Sequence, residues 1–239
     1  MKTNSEIASD FRVVARALAQ TPVRRQLTSA ERGLLANIPS VAQTALDVGC
    51  GDGLIARSLA ERGLRVTGVD LSPEMIALAE ERSPAGLNVR FAVRDFMADA
   101  PHLGSLGTFD AVVCVNVVHH VPLDAAIARL CSLVAPGGVL LIQDVVSRPS
   151  LRDLPRNAVA ALTRVVEHVL EPASTARALR SAYEAHGRGE VYLTPREADL
   201  QFHRLLPDAY VQHHIAWRYS VVWVRLACRR GHSGPAHQR

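Results

Sequence analysis

A seven-residue stretch of this chain, Asp47–Gly53, carries glycine at the alternate positions 49, 51 and 53. It follows the apolar run Thr44–Leu46 and precedes a helical pattern over Leu54–Arg62. Glycines let a backbone turn sharply from a strand into a helix and approach a bound ligand closely. The carboxylate of Asp47 would repel phosphates, but it would attract an ammonium or a sulfonium group. The stretch therefore predicts a strand–turn–helix unit that binds a cationic, adenosine-containing small molecule. Its spacing also differs from the dinucleotide spacing G-x-G-x-x-G.

Two further strand ends carry acidic residues. The run Leu64–Asp70 predicts a second strand that ends in a carboxylate, and Asp95 follows a predicted third strand over Asn88–Val93. A carboxylate at the tip of the strand beside a glycine turn is suited to accept both hydroxyls of a ribose.

These elements, in this order, resemble the class I S-adenosylmethionine-dependent methyltransferases over roughly Ala45 to Asp144. The resemblance implies that S-adenosyl-L-methionine is the cofactor. It implies that the glycine turn holds the methionine part, that Asp70 binds the ribose, and that Asp95 accepts from the adenine amine while the Phe96 amide donates to the ring. The cofactor-binding residues predicted in this way are Asp47, Gly49, Cys50, Gly51, Gly53, Asp70, Leu71, Asp95, Phe96 and Asn116.

The predicted fourth strand, Thr108–Asn116, leads into two adjacent histidines, His119 and His120. The resemblance places this strand end beside the transferred methyl group. Either histidine is therefore a candidate for the base that takes a proton from a hydroxyl or ammonium acceptor. The alternative is that the pair caps the next helix or packs under the cofactor. No proline follows Asn116, unlike the Asn-Pro-Pro-Tyr signature of enzymes that methylate nucleobase amines, so base flipping is disfavoured.

More polar candidates occur later in the chain, where the sequence alone does not separate substrate contacts from ordinary surface or core residues. They are His168, Tyr183, His186, Tyr192, His203, His213, His214, Arg218 and Tyr219.

The alternation of strand and helix patterns predicts an α/β fold: a Rossmann-like, seven-stranded, mostly parallel sheet with helices on both faces. We expect an N-terminal helical lid over residues 1–40 and a cofactor-binding core over 41–146. A helical insertion that forms a substrate cap is expected over 147–208, the last two strands over 209–228, with the final one at the sheet edge, and a disordered tail over 229–239.

Composition narrows the functional classes. The chain has 239 residues, of which 48% are hydrophobic, enough for one sizeable core. The net charge is +4, but Lys2 is the only lysine and the arginines are scattered, so we expect no nucleic-acid partner. No apolar run of membrane-spanning length and no leader pattern occur, which favours a cytoplasmic protein without membrane contact. The four cysteines form no C-x-x-C pair, so they are expected to be packing residues, and no metal site is predicted.

The function that these patterns favour is methyl transfer to a small molecule, with oxygen as the preferred acceptor and secondary (natural-product) metabolism as the setting. A monomer or a homodimer is expected. Three alternatives remain open: a dinucleotide-dependent reductase, disfavoured by the glycine spacing and the single lysine; a protein that uses the same cofactor for another reaction; and a non-catalytic binding subunit.

Overall fold

The computed structural model describes residues 2–21, 26–98, 107–147, 173–187, 189–214 and 217–227. Seven helices lie within these residues: α1 Asn4–Ala19, α2 Ser29–Leu35, α3 Leu54–Glu61, α4 Pro73–Glu81, α5 Leu123–Leu133, α6 Ala173–His186 and α7 Pro195–Leu205. The strands are β1 Thr44–Val48, β2 Arg65–Asp70, β3 Val89–Val93, β4 Phe109–Val115, β5 Val134–Val145, β6 Tyr210–His214 and β7 Arg218–Val224, and a 3₁₀ turn spans Val118–His120.

The strands form one seven-stranded sheet in the order β3-β2-β1-β4-β5-β7-β6. Strands β1 to β5 pair in parallel, whereas β7 pairs antiparallel with both β5 and β6. This confirms the predicted Rossmann-like sheet. The prediction that the last strand lies at the sheet edge is wrong, because β7 lies between β5 and β6. The burial explains the order: Tyr219, Ser220 and Val221 of β7 are buried, while β6 has no buried residue and forms the edge.

Helix starts follow the local sequence signals. Thr194 caps α7, where Pro195 occupies the first turn and Glu197 closes a capping box, and Ser72 caps α4 ahead of Pro73. Helix α5 stops at Leu133, and β5 begins at the next residue, so the Pro136-Gly137-Gly138 sequence lies within β5. A β-carbon on Gly138 would come 2.8 Å from the Asp110 carbonyl oxygen.

The core occupies both faces of the sheet, because adjacent residues of a strand point to opposite faces. On one face, Leu46 and Leu140 pack with Ile127 of α5 and Phe202 of α7. On the other, neighbouring strand residues pack against α2 and α3: Ala45, Val113 and Leu141 with Leu35 and Leu59. A third apolar cluster joins α1, α4 and α6.

Since β1 to β5 are parallel, their carboxyl ends lie along one edge of the sheet, where ligands bind in open α/β folds. Helix α1 packs against both α6 and α4. Its N-terminal residues also reach this edge, since the Asn4 side-chain amide donates to Asp95 over 2.7 Å. Within the described parts of the chain, no helix combines the length and the apolar character needed to cross a membrane.

Candidate active site

The glycine turn after β1 has two packed positions and one open position. Gly49, Gly51 and Gly53 all have positive φ angles, of 67°, 52° and 79°. A β-carbon on Gly49 would lie 2.2 Å from Val117 Cγ2, and one on Gly53 would lie 2.9 Å from Phe91 Cζ. A β-carbon on Gly51 would meet no described atom within 4 Å. The first and third glycines therefore allow close packing within the protein, while Gly51 borders space that a ligand can enter.

Asp47 is a buried carboxylate with one unpaired oxygen. The residue is 2% exposed, and its carboxylate accepts from the Ala56 amide in the first turn of α3. Its Oδ2 has no hydrogen-bond partner among the described residues. Burial, with Asp70 and Asp52 close by, raises the pKa of Asp47 to about 7. An ammonium group would satisfy this oxygen and stabilise its charge.

Asp70, at the end of β2, organises the turn next to it. Its Oδ2 accepts from the Gly51 amide and its Oδ1 from the Ser72 amide, both over 2.9 Å. Burial raises the pKa of Asp70, and these backbone hydrogen bonds oppose that rise. Each carboxylate oxygen can accept a second hydrogen bond, so both remain suited to a pair of ribose hydroxyls. Leu71, the residue that follows Asp70 in the chain, is half-buried.

The residues predicted for the adenine and for the end of β4 have partners within the protein. Asp95 accepts from Asn4 and, through Oδ1, from the Met97 amide over 2.8 Å. The ring of Phe96 lies in the core, as does the buried Cys50 side chain, so these two residues could serve a ligand only through their backbone. Asn116 has a φ of 57°, and its Oδ1 accepts from Arg218 over 2.7 Å.

His119 forms a dyad with a carboxylate that sequence reasoning missed. The Nδ1 atom of His119 lies 2.7 Å from Oδ1 of Asp144, and the His119 amide donates to Oδ2 of the same carboxylate over 3.1 Å. Asp144, near the end of β5, is fully buried. The available signal was a polar residue at the end of an otherwise apolar strand. The dyad fixes the imidazole orientation and leaves Nε2 as its second nitrogen.

His120 lies in a different, more enclosed environment. Its Nε2 is 3.3 Å from Nε2 of His186 in α6, and its Nδ1 is 3.4 Å from Oε1 of Glu190. Burial and the neighbouring His119 lower the pKa of His120 to about 4. The Nδ1 of His186 in turn lies 3.2 Å from Oδ2 of Asp10 in α1. The structure thus brings the insertion and the N-terminal helix together at the histidine pair.

Other predicted candidates divide into those near this site and those away from it. The Tyr192 ring centroid is 5.1 Å from that of His119, and Arg218 holds Asn116. The Tyr219 ring packs on Phe202 in the core. Tyr183 is exposed. Three other candidates contact α7 or β7: His203 and His213 bond to Asp199, and His214 bonds to Ser220. His168 and Cys228 lie outside the described residues, whereas Cys50, Cys114 and Cys131 are free thiols.

Comparison with known proteins establishes the family. A family model described as a methyltransferase domain matches residues 45–138. The chain is 33% identical over 176 residues to a ubiquinone biosynthesis O-methyltransferase of Xanthomonas axonopodis pv. citri, covering 69% of each chain. It superposes on DhpI in complex with SAH with a TM-score of 0.60 at 25% identity, covering 95% of this chain and 98% of the other. A magnesium protoporphyrin IX methyltransferase from Synechocystis PCC 6803 with bound SAM shares the fold, with a TM-score of 0.58 at 14% identity and coverage of 94% and 98%.

The chain therefore belongs to the class I S-adenosylmethionine-dependent methyltransferases. It is a methyltransferase, and S-adenosylmethionine is its cofactor.

The residues around the glycine turn fit this cofactor. The unpaired buried oxygen of Asp47 suits an ammonium, the open side of Gly51 leaves room for a ligand against the backbone, and Asp70 supplies acceptors at the strand tip. A methyl group on a positively charged sulfur, with a neutral leaving group, is the chemistry that this cofactor supplies.

Proposed function

We propose that this methyltransferase methylates a hydroxyl oxygen of a small molecule. The observation that carries the proposal is the His119–Asp144 dyad, which lies directly after the β4 end that packs on the glycine turn. Val117, two residues before His119, occupies the position that a side chain at Gly49 would need. A group suited to receive a proton therefore lies close to the cofactor turn. The relative named as an O-methyltransferase supports the same acceptor.

The dyad supplies what a hydroxyl acceptor needs. As the oxygen forms its bond to the methyl carbon and the carbon–sulfur bond breaks, the hydroxyl proton must leave. We propose that it passes to Nε2 of His119, because Nδ1 is held by Asp144. The Asp144 carboxylate then stabilises the imidazolium that forms. Carboxylate acceptors would need no such base.

Helix α1 and the described part of the insertion are proposed to cover the acceptor. Asp10 contacts His186, and Lys2 donates both to Asp10 over 2.8 Å and to the His186 carbonyl. Arg12 also pairs with Glu74 of α4 over 2.7 Å. A cover built in this way would exclude water from the transferred methyl group. The predicted lid over 1–40 and cap over 147–208 remain predictions.

The proposed acceptor fits two metabolic settings. The named relative belongs to ubiquinone biosynthesis, whereas the sequence patterns favour natural-product metabolism. Both settings require a small hydroxylated acceptor, which is the part of the proposal that an assay addresses. A cytoplasmic location, a monomeric or homodimeric state, and the absence of nucleic-acid and membrane partners remain predictions.

The test follows S-adenosylhomocysteine formation with a panel of small hydroxylated compounds, each matched by its amine and its methyl ether. We expect turnover with a hydroxyl compound, a product heavier by one methyl group, and no turnover with the matched ether. Methylation of the amine in preference to the hydroxyl would contradict oxygen as the acceptor.

The base is tested by His119→Asn, which keeps some hydrogen bonding but removes the accepting nitrogen. We expect turnover to fall by about 10² to 10⁴ while the cofactor Kd stays within about twofold. His203→Asn, in an exposed histidine of α7 that bonds only to a backbone carbonyl, is the matched control. Equal turnover in His119→Asn and His203→Asn would show that His119 does not take the proton in the reaction.

A further inference from the structure

Three imidazoles from two parts of the chain, the adjacent His119 and His120 and the distant His186, converge beside the β4 end. One ring nitrogen from each of His119, His120 and His186 lies within 4.8 Å of the other two. The Nε2 atoms of His120 and His186 are 3.3 Å apart. Two imidazole ligands on a tetrahedral zinc ion, at bond lengths of about 2.0–2.1 Å, have nearly this separation.

Each of these imidazoles has a carboxylate at its other nitrogen. The Nδ1 atom of His119 faces Asp144 at 2.7 Å, and that of His186 faces Asp10 at 3.2 Å. The Nδ1 atom of His120 faces Glu190 at 3.4 Å. Histidines that bind metals usually have a carboxylate or a carbonyl at the second nitrogen, which fixes the ring orientation and raises ligand basicity. Ordinary packing of three histidines does not require three separate carboxylates in this position.

Among the described residues, the cluster holds more negative than positive charge. Three carboxylates lie beside the imidazoles, and the cation that contacts them within the described part of the chain is Lys2, 2.8 Å from Asp10 and 3.5 Å from Glu190. His120 and His186 are 7% and 6% exposed, so both rings are buried beside these carboxylates. Nδ1 of His120 and Oε1 of Glu190 have no well-formed hydrogen bond within the described chain. A divalent cation would balance this charge.

We propose that His119, His120 and His186 bind a divalent transition metal ion such as Zn²⁺, oriented by Asp144, Glu190 and Asp10. Three imidazole ligands favour zinc-like ions over magnesium or calcium, which prefer oxygen ligands. A fourth position would stay open for water or for the acceptor oxygen, as in catalytic zinc sites.

Binding of the ion does not depend on the proposed O-methylation, although its consequence for the reaction does. With the ion bound, His119 would be a ligand, and the ion would supply a Lewis acid that lowers the pKa of a coordinated hydroxyl. Without the ion, His119 would be the proton acceptor proposed above. The site would therefore select small molecules with a hydroxyl that can coordinate a metal.

The test titrates the full chain, freed of metal with a chelator and dialysed, with Zn²⁺ in a calorimeter and with Co²⁺ by visible absorption. We expect one equivalent of Zn²⁺ to bind and the absorption bands of tetrahedral Co²⁺ to appear. His120→Gln and His186→Gln should each weaken Zn²⁺ binding by more than about 100-fold, and Asp10→Asn, which leaves the ligands intact, by about 10- to 100-fold. Neither cofactor nor acceptor is present, so the result is independent of whether a hydroxyl is methylated.

Two control variants distinguish the loss of a metal ligand from damage to the fold as the cause of weaker Zn²⁺ binding. Lys2→Met removes the competing ammonium, so it should tighten Zn²⁺ binding by about three- to fivefold, opposite in direction to Asp10→Asn. His203→Gln, away from the cluster, should leave the Kd unchanged. No stoichiometric binding, or equal binding by the parent and the His120 and His186 variants, would overturn the proposal. The second result would place the ion elsewhere in the chain.

Discussion

Asp47 and Asp70 lie at the ends of adjacent parallel strands, yet their oxygens are used differently. Both oxygens of Asp70 accept backbone amides, whereas Asp47 leaves Oδ2 unpaired in a buried position. A buried carboxylate without a full set of partners is costly when charged, which is why its pKa is raised. The cofactor is a cation that can lower this cost, and this couples its binding to proton release.

Cofactor affinity should therefore depend on pH through Asp47. Its pKa is about 7 in the cofactor-free protein, and a bound ammonium favours the ionised form. The carboxyl group is mostly protonated below that pKa, so affinity should rise with pH and level off above it, by about tenfold between pH 6 and pH 8. The measurement is the Kd for S-adenosylhomocysteine across this range. Asp47→Asn should remove the pH dependence of the Kd. If the Kd of that variant still changed with pH as in the parent, another group would cause the pH dependence.

Asp70→Asn should weaken cofactor binding, because it would replace with an amide the charged group that we propose as the acceptor of two ribose hydroxyls. The expected loss is about tenfold to a few hundredfold in Kd. Asp110→Asn is the matched control, since Asp110 also accepts two backbone amides, from Gln43 and Thr44 at 2.9 Å, but at the start of β4. Both variants should lower the melting temperature, while only Asp70→Asn should change the Kd. Equal Kd values in the two variants would show that the β2 tip does not bind the ribose.

At the scale of elements, the strand–turn–helix unit requires left-handed glycines for two separate reasons. Gly49 and Gly53 are needed because the protein itself occupies the space of a side chain, while Gly51 borders open space. The three positions look equivalent in the sequence. Their different roles depend on Val117 and Phe91, which come from distant segments.

Gly51→Ala should separate backbone strain from ligand exclusion. Its φ of 52° makes alanine strained by about 1–2 kcal/mol in the free energy of unfolding. Gly63→Ala provides the control, because Gly63 has a φ of 93° with equally open surroundings at the far end of α3. Denaturant unfolding should show a similar decrease in the free energy of unfolding for Gly51→Ala and Gly63→Ala. Only Gly51→Ala should lose cofactor affinity, and an unchanged Kd would mean that the cofactor does not approach this backbone.

Local signals made the glycine turn, the acids at the strand ends and the capped starts of α4 and α7 predictable. The pairings at the histidine cluster were not, because the partners are far apart in the chain: 25 positions separate His119 from Asp144, and 176 separate His186 from Asp10. The position of β7 between β5 and β6 was also not predicted. It depends on which of the two strands is more buried in the folded sheet, and the sequences of β6 and β7 have similar strand patterns.

At the scale of the whole molecule, one arginine connects the N-terminal helix to the glycine turn. Arg82, at the end of α4, pairs with Asp52 of the glycine turn over 2.7 Å, with 7% of each side chain exposed. Its second nitrogen donates to the Leu18 and Thr21 carbonyls at the end of α1. The N-terminal helix and the glycine turn are therefore connected through one buried ion pair.

Arg82→Met should lower the free energy of unfolding by about 3–5 kcal/mol, because it leaves the Asp52 carboxylate buried without its partner. Arg204→Met is the matched control: Arg204 pairs with Asp124 over 2.6 Å, but 52% and 65% of these side chains are exposed. An exposed pair contributes about 1 kcal/mol or less. Denaturant unfolding of both variants measures the difference in their free energies of unfolding. Equal decreases in the two variants would show that burial does not set the strength of the Arg82 contact. Since Asp52 belongs to the glycine turn, Arg82→Met should also raise the Kd for S-adenosylhomocysteine, whereas Arg204→Met should not.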